Sequence, residues 1–203
     1  MTTYALPDRA HFFPAAGEWG LRSNVWPSPS PLNGVTQTVA LPGGVWIANL
    51  TFRPQSVAER AELEGWLTGL GGQEHRVQMA HPVPSRWVPR GTMRGSPALS
   101  SAASQFANQL AIQTSAPGVT LLQGDFIKVG SQVYQVVSDA TADGSSVLTV
   151  TVTPRVRTAH ALAAAVTWNK PTAIFMLAGN EVLIPHTPGM SPAFAVQFIE
   201  DPQ

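Results

Sequence analysis

Five histidines, twelve carboxylates and six tryptophans are the residues of this 203-residue chain that could do chemistry. His11, His75, His81, His160 and His186 would supply the imidazoles of a metal site. No two of them sit four apart, the spacing that puts both rings on one helix face. They read as structural or solvent-facing side chains. Asp139, Asp143 and Gly144 match a calcium loop only in part, because the alternate oxygen ligands and the closing Glu are missing. Asp143-Gly144 is instead a tight-turn signature. Gly69, Gly71 and Gly72 follow a helical pattern, whereas a phosphate-cradling loop follows a strand and opens a helix. No serine is framed as G-x-S-x-G, and the absence of cysteine removes thiol catalysis, disulfides and cysteine-based metal sites. A carboxylate pair for glycoside hydrolysis needs no local motif, but several of the twelve acids belong to a helix face or to turns. The expectation is a chain without catalytic residues, metal or cofactor.

The tryptophans offer a different chemistry. Trp19, Trp26, Trp46, Trp66, Trp87 and Trp168 could stack on sugars, or could fill cores and interfaces, where indole contributes large buried area. Trp46 and Trp66 are assigned to the core by their patterned surroundings. Trp26 and Trp87 lie beside prolines in connectors, and are assigned to the exposed surface or to an interface.

Composition points the same way. Charged residues make up 12 % of the chain, about half the ~25 % usual for soluble domains, and Lys+Arg 12 balances Asp+Glu 12. A zero net charge removes the electrostatic footprint of a nucleic-acid or anionic-membrane binder. Ten of the twelve basic residues are Arg; only Lys128 and Lys170 are Lys. Interface cores favour Arg and aromatics over Lys, because a planar guanidinium sheds water more easily. A genome rich in Arg and Ala codons gives the same bias. The longest apolar stretch, 159–168, is far below the ~20 residues a bilayer requires, and residues 1–13 carry no signal-peptide pattern.

The elements that must position these residues are mostly strands. Alternation with turn punctuation marks 35–41, 45–52, 110–114, 125–129, 132–138, 147–153, 164–168, 172–177, 181–184 and 193–200. Pro42-Gly43-Gly44 reads as the turn of a hairpin between the first two, and Gly130-Ser131 as the turn of another. One helix stands out. Ser56 and Glu59 form a capping box, Leu63, Trp66, Leu67 and Leu70 make one apolar stripe, and Gly71-Gly72 stops it. The stretch 98–110 reads as loop or helix in its first half and strand in its second. Two proline-rich connectors, 81–97 and 185–192, suggest a second β unit over 91–187 inserted into the first, with the C-terminal strand returning to pair with the N-terminal unit.

Two segments together resemble a known family. The first is Ser28-Pro29-Ser30-Pro31-Leu32-Asn33-Gly34, Thr36-Gln37 and Gly43-Gly44-Val45-Trp46 ahead of the capped helix. The second is 121–130, then Val133-Tyr134-Gln135-Val136-Val137, Ala142-Asp143, and 150–157. They are similar to the distal tail (tail-tip hub) proteins of long-tailed bacteriophages and gene transfer agents, and to a small β-barrel unit common in phage tail-tip proteins. The resemblance implies a β-sandwich ring-forming domain with one α-helix (1–90 with 188–203). It also implies a small β-barrel-like domain (91–187) inserted before the C-terminal strand. It further implies a hexameric ring that joins the tail tube to the central hub and fibres at the distal end of the virion tail. No catalytic residue comes with it.

The expected function is therefore a structural virion component acting by symmetric self-assembly, without nucleic acid or membrane. Trp26, Arg86, Trp87, Arg90 and Arg94 are its expected interface residues. The rival readings are a carbohydrate-binding module, a tail-associated hydrolase, and another tail structural protein such as a tail-completion protein.

Overall fold

The structure, a computed structural model, describes residues 1–30, 34–41, 43–54, 56–187 and 192–201. Pro31, Leu32 and Asn33 of the resemblance, Pro42 of the expected turn, and 188–191 of the second proline connector lie outside them. The chain is mainly β, with one α-helix and a nearly closed, barrel-like sheet in its second unit. It divides into two compact units, 1–20 with 46–85 and 172–203, and 21–45 with 86–171. No helix among the described residues is long and apolar enough to cross a membrane.

The first unit is a six-stranded sheet, with strands numbered in chain order. These are β1 (Thr3–Ala5), β2 (Ala16–Arg22), β5 (Val45–Phe52), β6 (Arg76–Ala80), β15 (Thr172–Leu177) and β16 (Phe194–Glu200), in the order β1-β6-β15-β16-β5-β2. Period-two alternation gives each inner strand one buried row. Trp46, Ala48, Leu50 and Phe52 on β5 lie on the same face as Phe194, Val196 and Phe198 on β16. Trp46 meets Trp19, which meets Phe175 edge-on, their ring centres 5.7 and 5.2 Å apart. The buried Glu200 carboxylate accepts the Trp46 N–H at 3.0 Å, so an acid in this core is matched to a backbone donor.

Helix α1 (Val57–Gly69) begins where the sequence places it. The Ser56 hydroxyl accepts the Glu59 N–H, and the Glu59 carboxylate accepts the Ser56 N–H. Leu63, Leu67 and Leu70 are buried and Trp66 is half-buried, edge-on to Phe12 at 5.5 Å. Gly71 and Gly72 then take φ of 58° and 66°, the left-handed region that ends a helix.

The second unit carries the barrel-like sheet. Its strands are β7 (Ala98–Leu99), β8 (Gln109–Gln113), β10 (Phe126–Val129), β11 (Gln132–Val136), β13 (Val147–Thr153) and β14 (Val166–Thr167), in the order β14-β10-β11-β13-β8-β7. A bridge between Ala98 and Ala165 brings the two ends together. Ile112, Ile127, Val129, Leu148, Val150 and Val156 fill the interior with the buried ring of Tyr134. Two small ladders complete the unit: β9 (Thr120–Leu121) with β12 (Ala140–Thr141), and β3 (Val25–Pro29) with β4 (Thr36–Ala40).

Four expectations need correction. β4 does not form a hairpin with β5; it pairs with β3, a strand whose two prolines disguise it. The inserted unit ends at Pro171 rather than 187, because β15 pairs with β6 and β16 in the first sheet. It therefore precedes the last two strands, not the last one. Residues 86–90 and 21–45 also group with the second unit. Residues 181–184 form no strand, and 98–110 opens on the two-residue β7, runs irregularly to 108 and enters β8 only at Gln109, so the expected strand of its second half starts late.

Candidate functional site

β3 and β4 form a ribbon of their own, with no third strand among the described residues. Their register is Val25↔Ala40, Trp26↔Val39, Pro27↔Thr38, Ser28↔Gln37 and Pro29↔Thr36. Beyond the strand ends, Leu41 N–H donates to Asn24 O at 2.8 Å and Ser30 N–H to Val35 O at 2.9 Å. Hydrogen-bonded pairs alternate along an antiparallel ladder, so Trp26/Val39 and Ser28/Gln37 are the bonded pairs between those two. Pro27 and Pro29 fall on the alternate positions, where the missing N–H would have faced away from β4. That phase lets a two-proline segment serve as a strand.

Every residue of β3 is exposed, Trp26 by 68 % and Val25 by 46 %; across from them, Val39 is 56 % exposed. A lone two-stranded hairpin is marginal in water, and this one leaves its largest apolar side chain in solvent. Its root is held more firmly. Arg157 Nη1 donates to Gly44 O at 3.2 Å, and a cleft of about 130 Å³ lies between Leu21, Asn24, Leu41, Pro154 and Arg155.

Of the five residues expected at an interface, only Trp26 stands free in this way. The others fasten the proline connector to the barrel. Arg86 Nη2 donates to Gly124 O at 3.1 Å, with its guanidinium 5.5 Å from the Phe126 ring centre. Arg90 donates from Nη2 to Gln123 O. Arg94 donates to Gly91 O at 3.0 Å and lies over the Trp168 ring at 5.1 Å. Trp87 accepts the Lys170 N–H on its carbonyl and the Lys170 ammonium over its ring, at 2.7 and 4.2 Å. The forked donors that made these arginines look like docking groups are engaged within their own unit.

The centre of that fastening is a residue the sequence reading passed over. Asp125 is 4 % exposed, and its carboxylate accepts the N–H groups of Arg90, Gly91 and Leu122 at 2.9, 3.1 and 2.9 Å. Gly91 passes so close to β9 that an added Cβ would fall 2.2 Å from Thr120 O. The sequence signal was a Gly-Asp at a strand entrance, where an aspartate can bind backbone donors around a turn.

The histidines are dispersed. His11 lies 3.0 Å from Glu62, His186 lies 3.3 Å from Glu64, and His81 accepts the Val83 N–H. Arg9, donating to Glu62, is the main cause that holds that carboxyl below the usual glutamate range. Among the described residues no three of His, Asp or Glu converge to hold a metal ion. His160 belongs to a polar knot on the barrel. Gln132 Nε2 donates to Arg155 O, so its Oε1 receives the Arg157 N–H and the Tyr134 hydroxyl, each at 2.9 Å. The Tyr134 hydroxyl hydrogen is then committed to Gln132, so its oxygen accepts from His160 Nε2–H at 2.8 Å. Burial lowers the affinity of His160 for a second proton, and likewise pushes the Lys128 ammonium below its ordinary range. No family model matches the chain, and no curated protein sequence matches it.

Proposed function

We propose that this chain is a structural subunit of a viral tail tip, a distal-tail-type adaptor that assembles as a hexameric ring and joins the tail tube to hub and fibres. The observation that carries this reading is the exposed arm formed by β3 and β4, with Trp26 at 68 % exposure and Val39 beside it. An arm that cannot bury its apolar side chains within its own unit finds that burial against a neighbour. The zero net charge and the scarcity of lysine keep the desolvation penalty of such packing low. The Asp125 carboxylate fastens the connector to the barrel within the same unit that carries the arm.

The test is the state of the purified full chain at micromolar concentration, followed by native mass spectrometry and negative-stain microscopy. Six-fold rings are expected. A monomer at every concentration overturns the reading, and a monomer that binds surface glycans transfers it to a carbohydrate-binding module.

A further inference from the structure

The two edges of the arm are chemically unequal. Residues at the non-bonded positions of the ladder turn their backbone groups away from the partner strand. On β3 these are Val25, Pro27 and Pro29, and the two prolines leave the outer edge with a single N–H. On β4 they are Thr36, Thr38 and Ala40, all with N–H and C=O directed outward. Proline on an edge is a known block to strand addition, and here it closes one side of the ribbon only.

We propose that the arm binds a second copy of this chain by strand addition through the β4 edge alone. This rests on the ring reading above and deepens it by naming the strand, the donors and the direction of the contact. The occupant is a second copy because the same chain supplies an open rim. The six-stranded sheet ends at β2, whose seven residues contain no proline and are largely exposed. A β4 edge of one copy on a β2 edge of the next is a head-to-tail contact between unlike surfaces, the kind that builds a ring when its rotation closes and a filament when it does not. Were both arm edges open, a third chain could add on the other side and the assembly would branch. Pro27 and Pro29 remove that outcome.

Thr38→Pro tests the inference. It deletes the central outward N–H of β4 and puts a ring on that edge, while the bonded pairs Trp26/Val39 and Ser28/Gln37 keep their donors. The expected result is an unchanged monomer melting temperature, with the concentration for half-assembly raised at least about tenfold. Wild-type rings and T38P rings forming at the same concentration overturn the edge assignment and leave the ring reading standing. A wild type that never assembles overturns both. If T38P does not fold, amide exchange on the wild type decides. Thr36, Thr38 and Ala40 should exchange fast in dilute monomer and slowly in the ring; fast exchange in the ring overturns the proposal.

Discussion

Replacing Trp26 by Ala separates assembly from folding. A tryptophan buries roughly 150–250 Å² when enclosed; with 68 % of Trp26 exposed in the single chain, roughly 100–170 Å² is left for a partner to cover. At about 25 cal/mol per Å² that surface is worth about 3–4 kcal/mol at each subunit contact. The association constant of one contact should then fall by about 10²–10³. The monomer should hardly notice, because an exposed side chain away from caps and strained backbone changes stability by less than about 0.5 kcal/mol. Sedimentation velocity across a concentration series reads the first quantity and calorimetry of the dilute protein reads the second. W26A rings forming at the wild-type concentration would falsify the role given to the arm. So would a collapse of the monomer melting temperature, which would mean that the indole supports its own fold.

Three further outcomes concern the unit that carries the arm. Asp125→Ala strands the N–H groups of Arg90, Gly91 and Leu122, all three of which donate to its buried carboxylate; a loss of about 3–5 kcal/mol in urea unfolding is expected, and a loss under 1 kcal/mol contradicts the fastening. Gly91→Ala drives a methyl group to within 2.2 Å of Thr120 O, so the connector must lift from β9 at a cost of at least about 2 kcal/mol, read as a lower urea midpoint; a wild-type midpoint would contradict the close approach. His160 binds its second proton less tightly folded than unfolded, so the unfolded state takes up more protons as the pH falls. Its contribution is complete above the ordinary imidazole value of 6.5 and is lost as the pH drops from there through the lowered folded value. His160→Gln should flatten that acid-side decline in urea midpoint relative to wild type, and parallel curves for the two proteins would remove His160 as its source.

Where the sequence was legible, one local rule sufficed. The helix was readable because the Ser56–Glu59 box and the Leu63–Leu67–Leu70 stripe are both short-range signals that tertiary contacts did not override. β5, β13 and β15 were readable to the residue, each a period-two run ending at turn chemistry. β3 was hidden because proline counts against a strand unless its phase relative to the partner is known, and phase is a property of pairing. The β4–β5 hairpin failed for the complementary reason. Two adjacent glycines signal a reversal of the chain, but not which strands it joins. Trp26 is exposed, as its neighbouring prolines suggested, but it stands in a strand and not in a connector.

The arginines are occupied in a way that composition did not suggest. Among the described residues, Arg60 donates to the backbone carbonyl of Pro185, Arg76 to Gln73, Arg86 to Gly124, Arg90 to Gln123, Arg94 to Gly91, Arg155 to Phe106 and Arg157 to Gly44. Most of those carbonyls lie in irregular connectors between short strands, where no ladder supplies an N–H. A guanidinium reaches such an oxygen with a planar fork and several donors, and keeps a second donor for a neighbour; an ammonium does so less well. These arginines thus have a use within the chain, before any interface is invoked. What favours assembly is then the exposed apolar ribbon of β3 and β4, and which of its two edges can still donate.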